Sequence, residues 1–368
     1  MSFRKARLFK LFSESYQKFQ PEAHGLRPDF ILTNFAKLKG CGCKLDHKSL
    51  LSLINELDNK IMLDSPDCSF DRVTDDLAIV STLDFFYPLV DDPYFQGKIA
   101  AANVLSDLYA AGVTEVRNSL MILGISIQMT KEEQKISTSM ILKGYAEKVE
   151  EAGAHVAGGQ TVYNEWPTMG GAAIGVVRGT DPFIPRKAQP GDQLVLTKPL
   201  GAQIVVNVNQ WRKNNDDRWL ELQKITTEDT VERAYSMAVE QMATLNRTAA
   251  EIMLECNATS STDVTGFGIL GHAENIAEVQ NSKVDFVIES LPVYKGMIEL
   301  DNIVRDFNLI RGRTPETSGG LLISLPAGEV ETFISRMRES GHEVWRVGEV
   351  VEGNNSARMS ESLDIVHV

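Results

Sequence analysis

Two α+β domains preceded by a flexible arm are what this sequence predicts, on three observations. The chain has 368 residues, more than one hydrophobic core usually serves. Helical and strand-like patterns occur in both halves without strict βα alternation, which favours two α+β layers over a barrel. Between the halves, Pro182, Pro185 and Pro190 interrupt any regular element across residues 182–192. Residues 1–44 are then expected to form the arm with a Gly/Cys loop, 45–188 the N-terminal domain and 189–368 the C-terminal domain.

Composition narrows the function classes. With 43% hydrophobic and 24% charged residues the chain has the make-up of an ordinary soluble protein. A formal charge of −13 argues against a nucleic-acid surface, which needs a basic patch, but leaves room for an anion held through metal ions and a few lysines. Four cysteines, Cys41, Cys43, Cys68 and Cys256, are too few and too scattered for a disulfide framework, so the cytoplasm is the expected compartment. No apolar run is long enough to span a bilayer. The basic, loosely amphipathic stretch from Phe3 to Phe12 lacks the apolar core and cleavage site of a signal peptide. It is expected to pack on the domain or on a partner, a mitochondrial presequence being the alternative.

Taken in order, the most unusual stretch is Lys39-Gly40-Cys41-Gly42-Cys43-Lys44, which sets two thiols between two ammonium groups on a glycine loop. Lysine beside cysteine favours the thiolate, and glycine lets backbone approach a ligand. A soft nucleophile beside a phosphate-binding cation and an inert surface turn both fit these six residues. A Cys-x-Cys pair also suits half a metal site, but no second pair stands at a zinc spacing.

Leu45, Leu50, Leu51, Ile54 and Leu57 have helical spacing, and residues 75–90 turn to strand-like patterns. Acids mark the strand ends at Asp75, Asp76, Asp84, Asp91 and Asp92. Asp84 is enclosed by apolar neighbours, where an unpaired charge is costly, so a metal or a donor is expected beside it. Residues 96–112 read as the clearest helix, closed by Gly112. On it Asn103 and Asp107, four apart, share one face, and a carboxylate in so apolar a helix is expected to be functional or to join a buried helix–helix hydrogen bond.

A strand over 119–127, a helix over 131–152, a tight turn at Gly158-Gly159-Gln160-Thr161 and a strand over 170–177 follow. The second half opens with a strand over 193–197 and continues with a long helical stretch over 228–256. Its polar concentration, Ser260-Ser261-Thr262-Asp263-Val264-Thr265-Gly266-Phe267-Gly268, leads into a helix over 269–279. Anion binding at that helix start and metal ligation by Asp263 are both reasonable. Thr314-Pro315-Glu316-Thr317-Ser318-Gly319-Gly320 repeats the recipe before an apolar strand, while His272 is expected to cap or pack. Neither a GxxxxGK[ST] loop nor a GxGxxG unit occurs.

These stretches in this order, with Leu-Asp-Phe-Phe, Asn-Val-Leu-Ser-Asp-Leu-Tyr-Ala, Leu-Thr-Lys-Pro-Leu-Gly and Glu-Thr-Ser-Gly-Gly-Leu-Leu among them, closely resemble the selenophosphate synthetase (selenide, water dikinase) family from about residue 33 onward. Val-Asp-Asp-Pro-Tyr and Asn-Arg-Thr-Ala-Ala resemble its eukaryotic branch. The resemblance implies the aminoimidazole ribonucleotide synthetase-like fold, with N-terminal sheets contributing to a homodimer interface and ATP nearby. It implies the reaction of ATP, hydrogen selenide and water to selenophosphate, phosphate and AMP, with Mg2+ required and K+ activating. Carried over by motif, Cys41 is the reactive thiol and Lys44 the essential, nucleotide-facing lysine. Asp76, Asp107 and Asp263 match magnesium ligands, with Asp84 close to the metals. Val73, Thr74, Asp75 and Gly158, Gly159, Gln160, Thr161 match nucleotide-contacting segments. Several carboxylates with magnesium plus one lysine are what phosphoryl transfer needs. A selenium-delivery protein and the selenocysteine synthesis machinery are the partners such an enzyme would meet. Thiamine-monophosphate kinase or the purine synthetase of the same fold, and a non-catalytic paralogue, are the alternatives; neither enzyme is expected to carry the Gly-Cys-Gly-Cys-Lys loop.

Overall fold

The computed structural model describes residues 16–45, 53, 68–179, 185–304 and 307–368. The basic N-terminal stretch and nearly all of the helix expected over 45–57 lie outside the described residues.

The N-terminal half is a five-stranded sheet ordered β1-β2-β5-β3-β4, from β1 (Ser69–Thr74), β2 (Leu77–Phe86), β3 (Val116–Ser126), β4 (Val156–Asn164) and β5 (Thr168–Arg178). Its pairs are antiparallel except β3 with β4, which helix α2 (Lys131–Glu151) connects, as a parallel crossover requires. In β2, Ala78, Val80, Thr82, Asp84 and Phe86 turn inward, while Leu83 and Phe85 are exposed, the period-two alternation of a sheet with one covered face.

That face is covered by α1 (Pro93–Ala110), whose start is fixed by Asp92: its carboxylate accepts the N–H groups of Tyr94 and Phe95. Fifteen of its eighteen residues are buried, because the helix packs on β2 and β5 on one side and on the C-terminal half on the other. Hence the alanine-rich, all-round apolar sequence. Each fully buried leucine, such as Leu105 or Leu108, contributes about 1.5–3 kcal/mol of transfer free energy.

The C-terminal half is a six-stranded sheet ordered β11-β8-β10-β6-β9-β7. Its strands are β6 (Gln193–Leu196), β7 (Ser260–Asp263), β8 (Val284–Val293), β9 (Leu321–Leu325), β10 (Trp345–Glu352) and β11 (Ser356–His367). Helices α3 (Ala202–Asn214), α4 (Asp217–Leu222), α5 (Glu228–Ala243), α6 (Arg247–Glu255), α7 (Gly268–Glu278), α8 (Met297–Val304) and α9 (Val330–Glu339) complete it. The helical stretch expected over 228–256 is thus two helices. The break follows polar bonds that no local signal announces: Lys198 Nζ donates to the Thr244 carbonyl at 2.7 Å, and Asn246 Nδ2 donates to Ser106 Oγ at 2.9 Å.

Two expectations are corrected. Residues 16–44 are a packed strap, not a flexible arm. Leu26, Phe30 and Leu32 bury themselves with Met129, Tyr16 stacks edge-on to Phe95 at 4.9 Å, and Asp91 binds Thr33 Oγ1 at 2.6 Å and Lys213 Nζ at 2.7 Å. Gly158-Gly159-Gln160-Thr161 is the middle of β4, not a tight turn. Gly159, at φ +144, lies so close to β3 that a Cβ would sit 2.6 Å from the Met121 nitrogen, so glycine there reflects strand contact.

Candidate active site

The Cys41 loop is set by its glycines. Gly40 has φ +52 and ψ −153, outside the range of other residues, and its N–H donates to the Tyr87 carbonyl at 3.0 Å. A short 3-10 turn, Cys41–Cys43, follows and presses on the C-terminal half. A Cβ on Gly266 would lie 2.7 Å from the Cys41 oxygen and 3.2 Å from Cδ of Lys44.

There the loop meets β2 and α1. Lys44 Nζ pairs with Asp84, 3.3 Å from Oδ1 and 3.4 Å from Oδ2. Asn103 Nδ2 donates to Asp84 Oδ2 at 2.5 Å, while Asn103 Oδ1 accepts the Cys41 thiol at 3.5 Å and the Ser318 N–H at 2.8 Å. The donors expected beside Asp84 are these two. One turn further along α1, Asp107 accepts Thr82 Oγ1 at 2.5 Å and is hydrogen-bonded to Asp263 at the end of β7. Five of the residues singled out in the sequence, Cys41, Lys44, Asp84, Asp107 and Asp263, therefore form one polar knot between the two halves, in which Cys41, Asp84 and Asp263 are buried, Asp107 is half-buried and the Lys44 side chain keeps 34% of its surface exposed.

Electrostatics follow from burial. Cys41 is 1% exposed, and burial, then Asp84, push its thiol well above the usual range while Lys44 opposes them. The thiolate expected beside Lys44 is therefore disfavoured in this conformation, because that lysine is committed to Asp84. Burial alone would lower the Lys44 ammonium, but Asp84, with Asp107 and Asp263 beyond it, raises it above the lysine range. Burial and Asp84 raise the Asp263 carboxyl, against hydrogen bonds from Ser106 and Asp107 and the charge of Lys44.

Among the described residues no group of three or more His, Cys, Asp or Glu side chains converges to enclose a metal ion. Asp107 and Asp263 nonetheless fit magnesium. Two hard oxygen donors meet where burial disfavours a full pair of charges, and Mg2+ usually takes one or two carboxylates, its remaining positions going to water and substrate phosphates.

Asp76 is not brought to this knot. It is exposed in the turn between β1 and β2 and accepts Thr74 Oγ1 at 2.7 Å. From Leu77 to Asp84, β2 advances about 23 Å at roughly 3.3 Å per residue. Val73, Thr74 and Asp75 share that far end. Gly159 lies in Asp84's row, through Gly171 and Met121; three strands away, it is about 14 Å distant at ~4.8 Å per strand. Sequence reasoning passed over Asn103 as a bridge and gave no role to Thr317, Lys198 or Gln203. Asn103 was findable from its i, i+4 relation to Asp107; Thr317 reaches Cys41 across 276 residues and Lys198 reaches Thr244 and Ser318 across 46 and 120, distances no local pattern covers.

The chain matches the family model of the AIR synthase related protein N-terminal domain over residues 65–177 and the C-terminal domain over 189–360. It is 41% identical to human selenide, water dikinase 2 over 96% of this chain and 88% of that protein. With the Dictyostelium discoideum selenide, water dikinase it shares 43% identity over 91% of this chain and 92% of that one. Thiamine monophosphate kinase from Aquifex aeolicus aligns with TM-score 0.59 at 16% identity, over 87% of this chain and 100% of that one. Hydrogenase maturation protein HypE in complex with ATP aligns with TM-score 0.57 at 17% identity, over 89% and 94%; both show the shared fold. The chain belongs to the selenide, water dikinase family, on the two-domain fold of AIR synthase related proteins.

Proposed function

We propose that this protein is a working selenophosphate synthetase, converting ATP, hydrogen selenide and water to selenophosphate, phosphate and AMP. The observation that carries the reading is Cys41 and Lys44 intact and seated against Asp84, Asn103 and the Asp107–Asp263 pair.

Lys44 offers a localised cation to phosphate oxygens, and Asp84, itself held by Asn103, keeps it in place. Asp107 and Asp263 would hold Mg2+, which supplies charge neutralisation on the phosphates when bound. Cys41 faces the selenium substrate; its burial excludes water from the transferring phosphoryl group. Val73, Thr74 and Asp75 enter this reading as nucleotide contacts only if a second chain or the nucleotide itself spans the distance. Asp76 is left out of the metal set.

A homodimer is part of the reading. Leu83 and Phe85 of β2 and Leu120 of β3 are exposed on the uncovered face of the first sheet, and the register puts Gly158 and Gln160 of edge strand β4 on that same face. A second copy would bury this apolar surface and border the nucleotide segment. K+ activation and a selenium-delivery partner are included with no residue assigned. Four free cysteines suit the cytoplasm.

Anaerobic phosphorus NMR of the full chain with ATP, Mg2+ and K+ tests the proposal. Selenophosphate and AMP that form only on adding selenide are expected. ADP as the sole product would move the protein to another reaction of the fold family.

A further inference from the structure

The turn at residues 314–320 is buried except for the half-buried Pro315, with Thr314, Glu316, Thr317 and Ser318 each 3% exposed or less. Such burial of hydroxyls and a carboxylate is costly unless they are bonded. Its bonds run in several directions, although the buried Ser318 hydroxyl has no hydrogen-bond partner among the described residues. Glu316 accepts the Gly201 and Ala202 N–H groups at 2.6 and 3.1 Å, capping α3. The Ser318 carbonyl accepts Lys198 Nζ at 2.9 Å, and the Gly319 carbonyl accepts Asn246 Nδ2 at 2.8 Å. The Ser318 N–H reaches Asn103 of α1 at 2.8 Å, and Ser318 holds φ +49, a conformation that persists only where its surroundings impose it.

From this braced turn the Thr317 hydroxyl accepts the Cys41 backbone N–H at 2.9 Å. It is the bond made to the reactive residue's own backbone by the C-terminal half, 276 residues away in sequence. The neighbouring contacts fit the glycines of the loop: a Cβ on Gly40 would come within 3.3 Å of Gln203 Oε1, and one on Gly42 within 3.3 Å of Pro315.

We propose that Thr317 is the positioning residue of Cys41, fixing the thiol against Asn103 from the opposite half of the molecule. The proposal rests on Cys41 being the selenium-facing thiol. The Thr317 side chain also hydrogen-bonds the Cys41 thiol and counters the rise that burial and Asp84 impose on it, so Thr317 acts through Cys41, at both its backbone and its sulfur. Its effect is to reduce the loop's freedom at the moment the thiol must be placed, and a misplacement of the order of 1 Å costs roughly 100-fold in rate.

The full chain is compared as wild type, Thr317→Val, which keeps the shape and removes the acceptor, and Thr317→Ser, which restores it. Three readouts are taken: selenophosphate formation by phosphorus NMR, ATP affinity, and the rate at which iodoacetamide alkylates Cys41, followed by mass spectrometry. Thr317→Val is expected to lower turnover roughly 10- to 100-fold and to speed Cys41 alkylation about 2- to 10-fold, the effect of one lost hydrogen bond. ATP affinity stays within about twofold, and Thr317→Ser recovers both effects. Unchanged turnover and alkylation in Thr317→Val would overturn the proposal, as would a loss of ATP affinity in step with turnover. If the wild type itself makes no selenophosphate, the dikinase reading fails, while the alkylation rates of the valine and serine variants still decide the role of Thr317.

Discussion

The two ends of β2 carry similar sequence and opposite environments. At one end Asp84 is buried among Lys44, Asn103 and the Asp107–Asp263 pair; at the other Asp75 and Asp76 stand exposed in a turn. Both are acids at strand ends. Only at the first does a helix from the same half, a loop from the strap and a strand from the other half converge, so that each charge has a partner that must stay. Burial is what gives a carboxylate a definite neighbour, and a definite neighbour is what phosphoryl transfer uses.

That contrast can be broken first at the thiol. Cys41→Ala is expected to remove selenide-dependent turnover by about 1000-fold or more while ATP binding persists; loss of nucleotide binding in the same variant would make the loop structural instead. Lys44→Met comes next, with turnover down on the order of 100- to 1000-fold, since Asp84 would lose its counter-charge along with the phosphates. Steady-state rates at saturating ATP separate that loss from weaker binding.

The uncovered face of the first sheet sharpens the comparison from outside. Phe85→Asp puts a charge on the exposed side of β2, next to Asp84 in sequence and on the opposite face. Sedimentation velocity should show its dimer dissociation constant raised roughly 10- to 100-fold. An unshifted dimer would place the interface elsewhere.

A smaller effect concerns pH. Burial lowers the Lys198 ammonium from 10.5 to about 7, so between those values the unfolded chain binds the extra proton. Stability from this group is therefore full above 10.5 and is lost as pH falls toward 7. The melting-temperature gap between wild type and Lys198→Met should widen as pH rises through that window. A flat gap would mean that Lys198 stays charged between its two carbonyls.

Much of this site is legible in the sequence where the signal is local. The Gly-Cys-Gly-Cys-Lys loop stands out by composition, Asp107 by its place in an apolar helix, and Asp84 by its apolar neighbours. What local pattern does not carry is pairing register. Thr74-Asp75-Asp76 looks like the head of an acidic strand, yet the pairing of Ser69 with Ser81 and Thr74 with Leu77 makes it the hairpin turn, so its acids stand exposed at the end of β2 far from the knot. Gly158-Gly159 has turn composition but strand geometry, because contact with Met121 outweighs glycine's poor strand propensity. Packing of the strap was hidden for a similar reason: Tyr16, Leu26, Phe30 and Leu32 are spaced irregularly and find partners only in the folded molecule.

The most direct measurement is selenophosphate turnover and Mg2+-dependent ATP binding in Asp263→Asn beside Asp76→Asn. Asp263→Asn is expected to lower turnover at least about 100-fold and to weaken the metal-dependent part of binding, while Asp76→Asn stays within roughly threefold of wild type. The reverse order would place the metal chemistry at the hairpin turn and overturn the role given to Asp263.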